Sequence, residues 1–370
     1  MKSISYYFDA VNIRLQQNFA KLRDYQFNRK YLIFESDDWG AIRVPSKKIH
    51  DYLINLGYDL DSRPYECLDG LECNQDVENL KDLLMRFKDK KGKHPVFTLN
   101  YLSANPDFDK INNSKYNSYY WEPIDITYQK YENAENVINL IKEGIAKGVF
   151  EIEFHGREHF NIPKWLLALQ RGNVDVLTAF NNRMCGIFPK NNPQEGNKYM
   201  IALEAENSYI EKFIQEGILE FKRIWGCNPR SFIAPCYTWD RAVEQILSKA
   251  GINIIQSSRF QRLPLQNKRK ICFTGKKNLF NQVYTVRNCS FEPALTAKDI
   301  DPVAKTMNEI RYAFKHNTSA IISTHRINYT SRISKENAER NRQLLLELLT
   351  NILYEFPETE FCTGTNLFKL

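Results

Sequence analysis

The sequence predicts an α/β fold: a parallel sheet closed into an irregular (β/α) barrel of about seven strands. Three observations lead there. Short apolar runs recur along the chain, helical patterns separate several of them, and polar residues stand where the runs end.

The first run, Tyr31–Ser36, has four apolar or aromatic residues out of six, and Gly40 marks a turn after it. Pro95–Asn100, Val149–Phe154, Ser231–Ala234, Ile252–Ile255, Gln282–Val286, Ala320–Ser323 and Thr359–Cys362 follow. Helical patterns at Ala134–Gly148, Arg241–Ala250 and Lys335–Tyr354 lie between runs, and such alternation implies parallel pairing. In parallel α/β folds the active site gathers at the carboxyl ends of the strands. Asp37, Asp38, Asn100, His155, Pro235 and His325 all occupy such ends. Residues 1–30 read as an N-terminal helical extension and 31–370 as one domain. Three segments read as insertions into it: 41–94, with a helix expected over Asn79–Lys88, then 101–133 and 160–230.

Composition sets bounds. Hydrophobic content of 43% and aromatic content of 13% fit an ordinary folded chain, and an aromatic-rich core accounts for 20 Tyr and 23 Phe. The net charge of +7 is dispersed, with short clusters only at Lys88–Lys93 and Lys268–Lys270, which argues against a nucleic-acid partner. It leaves open an anionic glycan or a peripheral contact with a membrane surface. No apolar stretch approaches the ~18 residues of a transmembrane helix. Residues 1–30 carry Arg14, Lys21, Arg23, Arg29 and Lys30 with no continuous apolar segment, so no secretory leader is expected. The eight cysteines show no CxxC pair, and reduced thiols in a cytoplasmic protein are the expectation.

Two adjacent carboxylates at a strand tip repel each other and need a cation or a proton. His155 and His159 are spaced i, i+4, which on one helical turn points both imidazoles the same way, as a divalent metal requires. With Asp38 or Asp37 they make a set of two histidines and one carboxylate, suited to Zn²⁺ and also to Fe²⁺ or Co²⁺. His-Gly-Arg-Glu-His equally matches the inverted zinc-peptidase string, with Glu158 as base. That reading needs a continuous helix, which Gly156 and Pro163 disfavour, and it is a minor alternative. Asp37 or Asp38 could instead cap a turn, His325 could be a satisfied core histidine, and Pro235 could merely end a strand. His50, His94 and His316 read as surface or packing residues.

Ser36-Asp-Asp-Trp-Gly40 resembles the first motif of the polysaccharide deacetylase family, carbohydrate esterases with the NodB homology domain in the glycoside hydrolase/deacetylase superfamily. His155-Gly-Arg-Glu-His159 resembles its second motif, with Gly156 in place of a hydroxyl residue. Ile233-Ala-Pro-Cys-Tyr237 is similar to its third but lacks the arginine, and Ile322-Ser-Thr-His325 is similar to its last. No clean fourth motif is present; Arg259, Arg287 and Glu292 are the candidates to replace it. The chain is thereby identified as a divergent member, over about residues 30–365. The resemblance implies a divalent metal on Asp38, His155 and His159, Zn²⁺ first, with Co²⁺, Fe²⁺ or Ni²⁺ as alternatives. It implies Asp37 as general base, His325 as general acid, and Pro235, Cys236 and Tyr237 at the substrate wall, with the Cys236 N–H toward the oxyanion. The implied reaction is removal of acetyl from an N- or O-acetylated sugar or polysaccharide precursor. The alternative is a glycan-binding protein on a decayed scaffold. Glycosidic cleavage ranks lower, because it needs two carboxylates flanking the bond rather than side by side.

Overall fold

A computed structural model describes residues 23–191, 199–266 and 268–369. The helical extension expected over residues 1–30 lies outside the described residues up to residue 22, and 23–30 are turns and coil. Among the described residues thirteen strands run in chain order: β1 (Tyr31–Trp39), β2 (Phe97–Tyr101), β3 (Ala104–Pro106), β4 (Trp121–Pro123), β5 (Phe150–Phe154), β6 (Ser231–Ile233) and β7 (Ile254–Ser257). After them come β8 (Phe260–Arg262), β9 (Arg269–Ile271), β10 (Val283–Val286), β11 (Cys289–Ser290), β12 (Ala320–His325) and β13 (Glu360–Phe361). The main sheet has the order β10-β7-β6-β5-β2-β1-β12-β11, with β13 on the start of β1, and every pairing in it is parallel. Each apolar run expected to be a strand is one, within two or three residues at its ends.

The two edge strands, β10 and β11, are neighbours in sequence. Arg287 N–H donates to Ser257 O on β7, and the next residue, Asn288, donates to Ile321 O on β12. The chain therefore steps across the gap between the sheet's two edges, which requires that the sheet curl until those edges nearly meet. The closing seam lies at Arg287–Asn288.

Alternation along β1 sorts the interior. Leu32 and Phe34 face outward into the cluster shared with Phe97, Leu99 and the surrounding helices. Tyr31 and Ile33 face inward and pack with Ile321, Cys362 and Leu367 at the bottom of the barrel. Burying each such side chain contributes about 1.5–3 kcal/mol. Further up the same inner face stand Glu35 and Asp37, so the barrel is apolar below and polar at its carboxyl end.

The three inserted segments lie around that end. Residues 41–94 carry helices Lys47–Asn55, Pro64–Leu68 and Asn74–Met85. The last starts earlier than the expected Asn79 because Asp76 accepts from the Cys73 N–H at 3.0 Å and fixes the first turn. Residues 101–133 carry the β3–β4 hairpin, and 160–230 carry Ile162–Gln170, Val174–Asn181 and Asn207–Trp225. Among the described residues no helix is long and apolar enough to cross a membrane.

Candidate active site

At the top of β1 the backbone abandons regular alternation. The register against β2 shifts between Ser36 and Trp39, and Asp38 has φ +73. A left-handed aspartate is uncommon, and here it turns a side chain that would face the outer helices toward the same side as Asp37. Both carboxylates therefore line one cleft of about 600 Å³ at the mouth of the barrel. The turn is held from behind: Glu72 accepts from the Gly40 N–H at 2.8 Å, and Arg326 bonds Glu72 and Asp69.

Asp38 meets both histidines. Its Oδ1 lies 3.3 Å from His155 Nε2 and 3.4 Å from His159 Nε2, while its Oδ2 takes an ion pair from Arg43 at 3.3 Å. His155 Nδ1 lies 2.9 Å from Ile233 O, a carbonyl that only accepts, so the proton sits on Nδ1 and Nε2 presents a lone pair. Burial pushes His159 down to about 3, so it is a neutral imidazole. Two imidazole nitrogens thus converge on one carboxylate oxygen. Tetrahedral ligands at about 2.0 Å from a cation stand about 3.3 Å apart, which is the spacing found. The donor set fits a divalent metal.

The histidines reach this arrangement differently from the sequence expectation. Residues 155–159 form a loop rather than a helical turn, with Gly156 at φ +111. Glu158, the base in the peptidase alternative, is buried; it accepts from Arg157 Nε at 2.8 and 2.9 Å and from Tyr119 OH at 2.8 Å. That alternative loses both its helix and its base.

Asp37 is clamped. Arg287 donates Nη1 to its Oδ2 at 2.6 Å and Nη2 to its Oδ1 at 2.7 Å, and Asn100 Nδ2 adds 2.8 Å. Arg287 Nε also donates to Glu35 Oε2 at 2.8 Å, so one guanidinium serves two buried carboxylates. Burial works to raise Asp37, but the guanidinium outweighs it and holds the group below its ordinary value. For Glu35 burial wins, and its pKa is raised.

His325 stands opposite, its Nε2 3.8 Å from Asp37 Oδ2. Its Nδ1 lies 2.6 Å from Glu292 Oε1, and its backbone N–H donates to Oε2 of the same carboxylate. Burial alone would depress this imidazole; Glu292 and then Asp37 reverse that and bring it to about 9. Of the three candidates for the missing motif, the structure thus brings Arg287 to Asp37 and Glu292 to His325. Arg259 goes elsewhere, bonding Asp24 and Cys272 O. The signal for Arg287 was the strand-end rule itself, since it directly follows the run Gln282–Val286.

Cys236 and Tyr237 line the cleft, both with positive φ (+55 and +52), and the Tyr237 hydroxyl accepts from Arg287 at 3.1 Å. Pro235 is buried and is not part of the lining, so it supports the loop rather than forming the wall expected of it. The opposite rim carries Tyr65, with Arg43 over its ring at 5.1 Å, and Phe188, with Arg63 over its ring at 4.4 Å.

The family model of Glycosyl hydrolase family 57 matches residues 5–352. The chain belongs to that family. Family 57 is related to the glycoside hydrolase/deacetylase group indicated by the strand-end motifs. No curated protein matches the sequence. Among solved structures, the chain is similar to a protein of Parabacteroides distasonis described as a glycoside hydrolase/deacetylase, at 10% identity and TM-score 0.49, covering 94% of this chain and 71% of that one. It is also similar to a 4-alpha-glucanotransferase of Thermococcus litoralis, at 10% identity and TM-score 0.45, covering 92% of this chain and 40% of that one. A third is a family 4 acetyl xylan esterase of Clostridium thermocellum in complex with cobalt, at 12% identity and TM-score 0.40, covering 92% and 91%.

Proposed function

We propose that this family 57 protein is a metal-dependent carbohydrate hydrolase that removes an acetyl group from an N- or O-acetylated sugar. The observation that carries the reading is the pairing of a metal-type donor set on Asp38, His155 and His159 with a separately clamped acid–base pair, Asp37 and His325. Zn²⁺ suits two imidazoles and a carboxylate best, with Co²⁺, Fe²⁺ and Ni²⁺ as substitutes. A cation held there supplies Lewis acidity toward the acyl carbonyl and lowers the pKa of a bound water. Asp37, kept ionised by Arg287, accepts the proton of the attacking water. His325, kept protonated by Glu292, donates to the departing nitrogen or oxygen. The Cys236 N–H completes the oxyanion site, and Tyr65, Phe188 and Tyr237 offer ring faces to the sugar. A cytoplasmic location, with a soluble or lipid-linked saccharide precursor as substrate, belongs to the same proposal.

A second reading is glycosidic cleavage, favoured by the family's name and by one further carboxyl group in the cleft. Glu66 lines it, and burial raises its pKa, as a general acid requires. One experiment separates the two: incubation with acetylated and unacetylated oligosaccharides, scoring acetate and new reducing ends, alongside metal analysis. The deacetylase reading expects acetate only, and one metal equivalent per chain fewer in Asp38→Ala and in His155→Ala than in wild type. New reducing ends that vanish in Glu66→Gln would replace it with the glycosidase reading.

The alkaline limb of activity tests His325. With its pKa at about 9, the acid form persists through neutrality and is lost as pH rises through that value. The ion pair's contribution to stability has the same sign: it is fully present below the unfolded value of about 6.5 and is lost above the folded one. Glu292→Gln removes the largest raising influence. The limb in the pH–rate profile is expected to move from near 9 to about 6.5 or below; an unmoved limb rejects His325 as the acid.

A further inference from the structure

The sequence reads His50 as a surface or packing residue, yet its surroundings are those of a ligand. His50 sits on helix Lys47–Asn55, Asp61 in the following turn, and Cys67 on helix Pro64–Leu68. His50 Nε2 lies 3.2 Å from Asp61 Oδ1, and Cys67 Sγ lies 3.8 Å from the same oxygen. All three ligand atoms fall within 4.8 Å of one another.

His50 is 2% exposed, and its Nε2 makes no hydrogen bond, although a carboxylate oxygen stands beside it. Its Nδ1 lies 3.0 Å from Asp51 Oδ1 and 3.1 Å from Lys47 Nζ, which is itself salt-bridged to Asp51 at 2.8 Å. Nε2 is the buried ring nitrogen without a partner. A carboxylate behind one imidazole nitrogen, with the other facing acidic ligands, is the usual support of a metal-bound histidine. One sulfur at about 2.3 Å and oxygen and nitrogen at about 2.0 Å from a tetrahedral cation stand about 3.3–3.5 Å apart, so the 3.2 Å found fits and the 3.8 Å found closes by about 0.3 Å on binding.

We propose that His50, Asp61 and Cys67 form a second metal site, selective for a borderline-soft divalent ion of the Zn²⁺ class and completed by water. The thiol proton now directed at Asp61 is released to solvent on binding, so that the thiolate becomes the ligand. The site lies outside the cleft but at the foot of its wall, because Ser62, Arg63, Pro64, Tyr65 and Glu66 line the cleft between two of its ligands. An ion there pins the segment from Asp61 to Cys67 onto the helix behind it and fixes the position of Arg63 and Tyr65. This proposal does not depend on the reaction proposed above.

Cobalt substitution tests it, because the Asp38 site contains no sulfur. Titrating metal-stripped full-length protein with Co²⁺ is expected to give a thiolate-to-cobalt charge-transfer absorption in wild type and in Asp38→Ala. The band is expected to be absent in Cys67→Ser and in His50→Gln, each first shown to be folded by circular dichroism. Total bound zinc should be two equivalents in wild type and one in Cys67→Ser. No such band in wild type at saturating cobalt, or a full band surviving in Cys67→Ser, overturns the proposal. A full band in His50→Gln does the same.

Discussion

Arg287→Met is expected to lower the melting temperature sharply and to make stability rise more steeply on acidification below neutrality than in wild type. The substitution leaves Glu35 and Asp37, 0% and 3% exposed, without their shared guanidinium. Removing one partner of a buried ion pair costs about 3–5 kcal/mol. In wild type the Asp37 pKa is depressed, so its contribution is present above the unfolded value of about 3.9 and is lost as pH falls through the folded one. Without Arg287 the main influence opposing burial is gone from both carboxylates, and both are expected to rise. The variant then gains stability on acidification between pH 8 and 5. Thermal melts across that range decide the matter: an unchanged midpoint with an unchanged slope would show that the triad contributes nothing.

Asp37→Asn is expected to cut acetate release by about 10²–10⁴-fold, the usual value of a general base, without changing metal content. Asp38→Ala should lose activity and one metal equivalent together, since it removes the one oxygen that lies between both imidazoles. The pair of variants distinguishes an enzyme from a glycan-binding scaffold. In a pure binder neither substitution would reveal a turnover to lose, and Asp37→Asn would leave glycan affinity nearly unchanged. Isothermal titration with an acetylated oligosaccharide, beside the rate assay, reads both quantities.

The strands were legible because parallel strands buried on both faces read as apolar runs, and β1, β2, β5 and β12 carry that signature plainly. The convergence of Asp37, Asp38, His155 and His325 followed from their place at the ends of those runs. Which candidate serves which carboxylate or histidine depends on contacts that neither periodicity nor local spacing encodes. Arg287 finds Asp37 across 250 residues, and Glu292 finds His325 across 33. The histidine pair was expected on a helical turn and lies on a loop. Spacing i, i+4 suggests a helix, but Gly156 in a left-handed conformation lets a loop bring both rings to Asp38 instead. The short β8–β9 hairpin and the two-residue β11 carry too few residues for any periodic signal. His50 was passed over because its partners, Asp61 and Cys67, approach it only once two helices have folded back on each other.

The sheet order has a consequence for the chain as it is synthesised. β1 ends with a neighbour on each side, but those neighbours are made at very different times. β2 follows within about 60 residues, whereas β12 does not emerge until residues 320–325. Through most of translation the strand bearing both aspartates is a bare edge, long and apolar, and such edges invite pairing with other chains. The charged tip at Asp37-Asp38 stands at the end of that edge and works against a foreign strand docking there. Residues poised for chemistry in the finished protein would thus serve earlier as a guard against misassembly, and a nascent chain halted near residue 300 would be the form most dependent on chaperones.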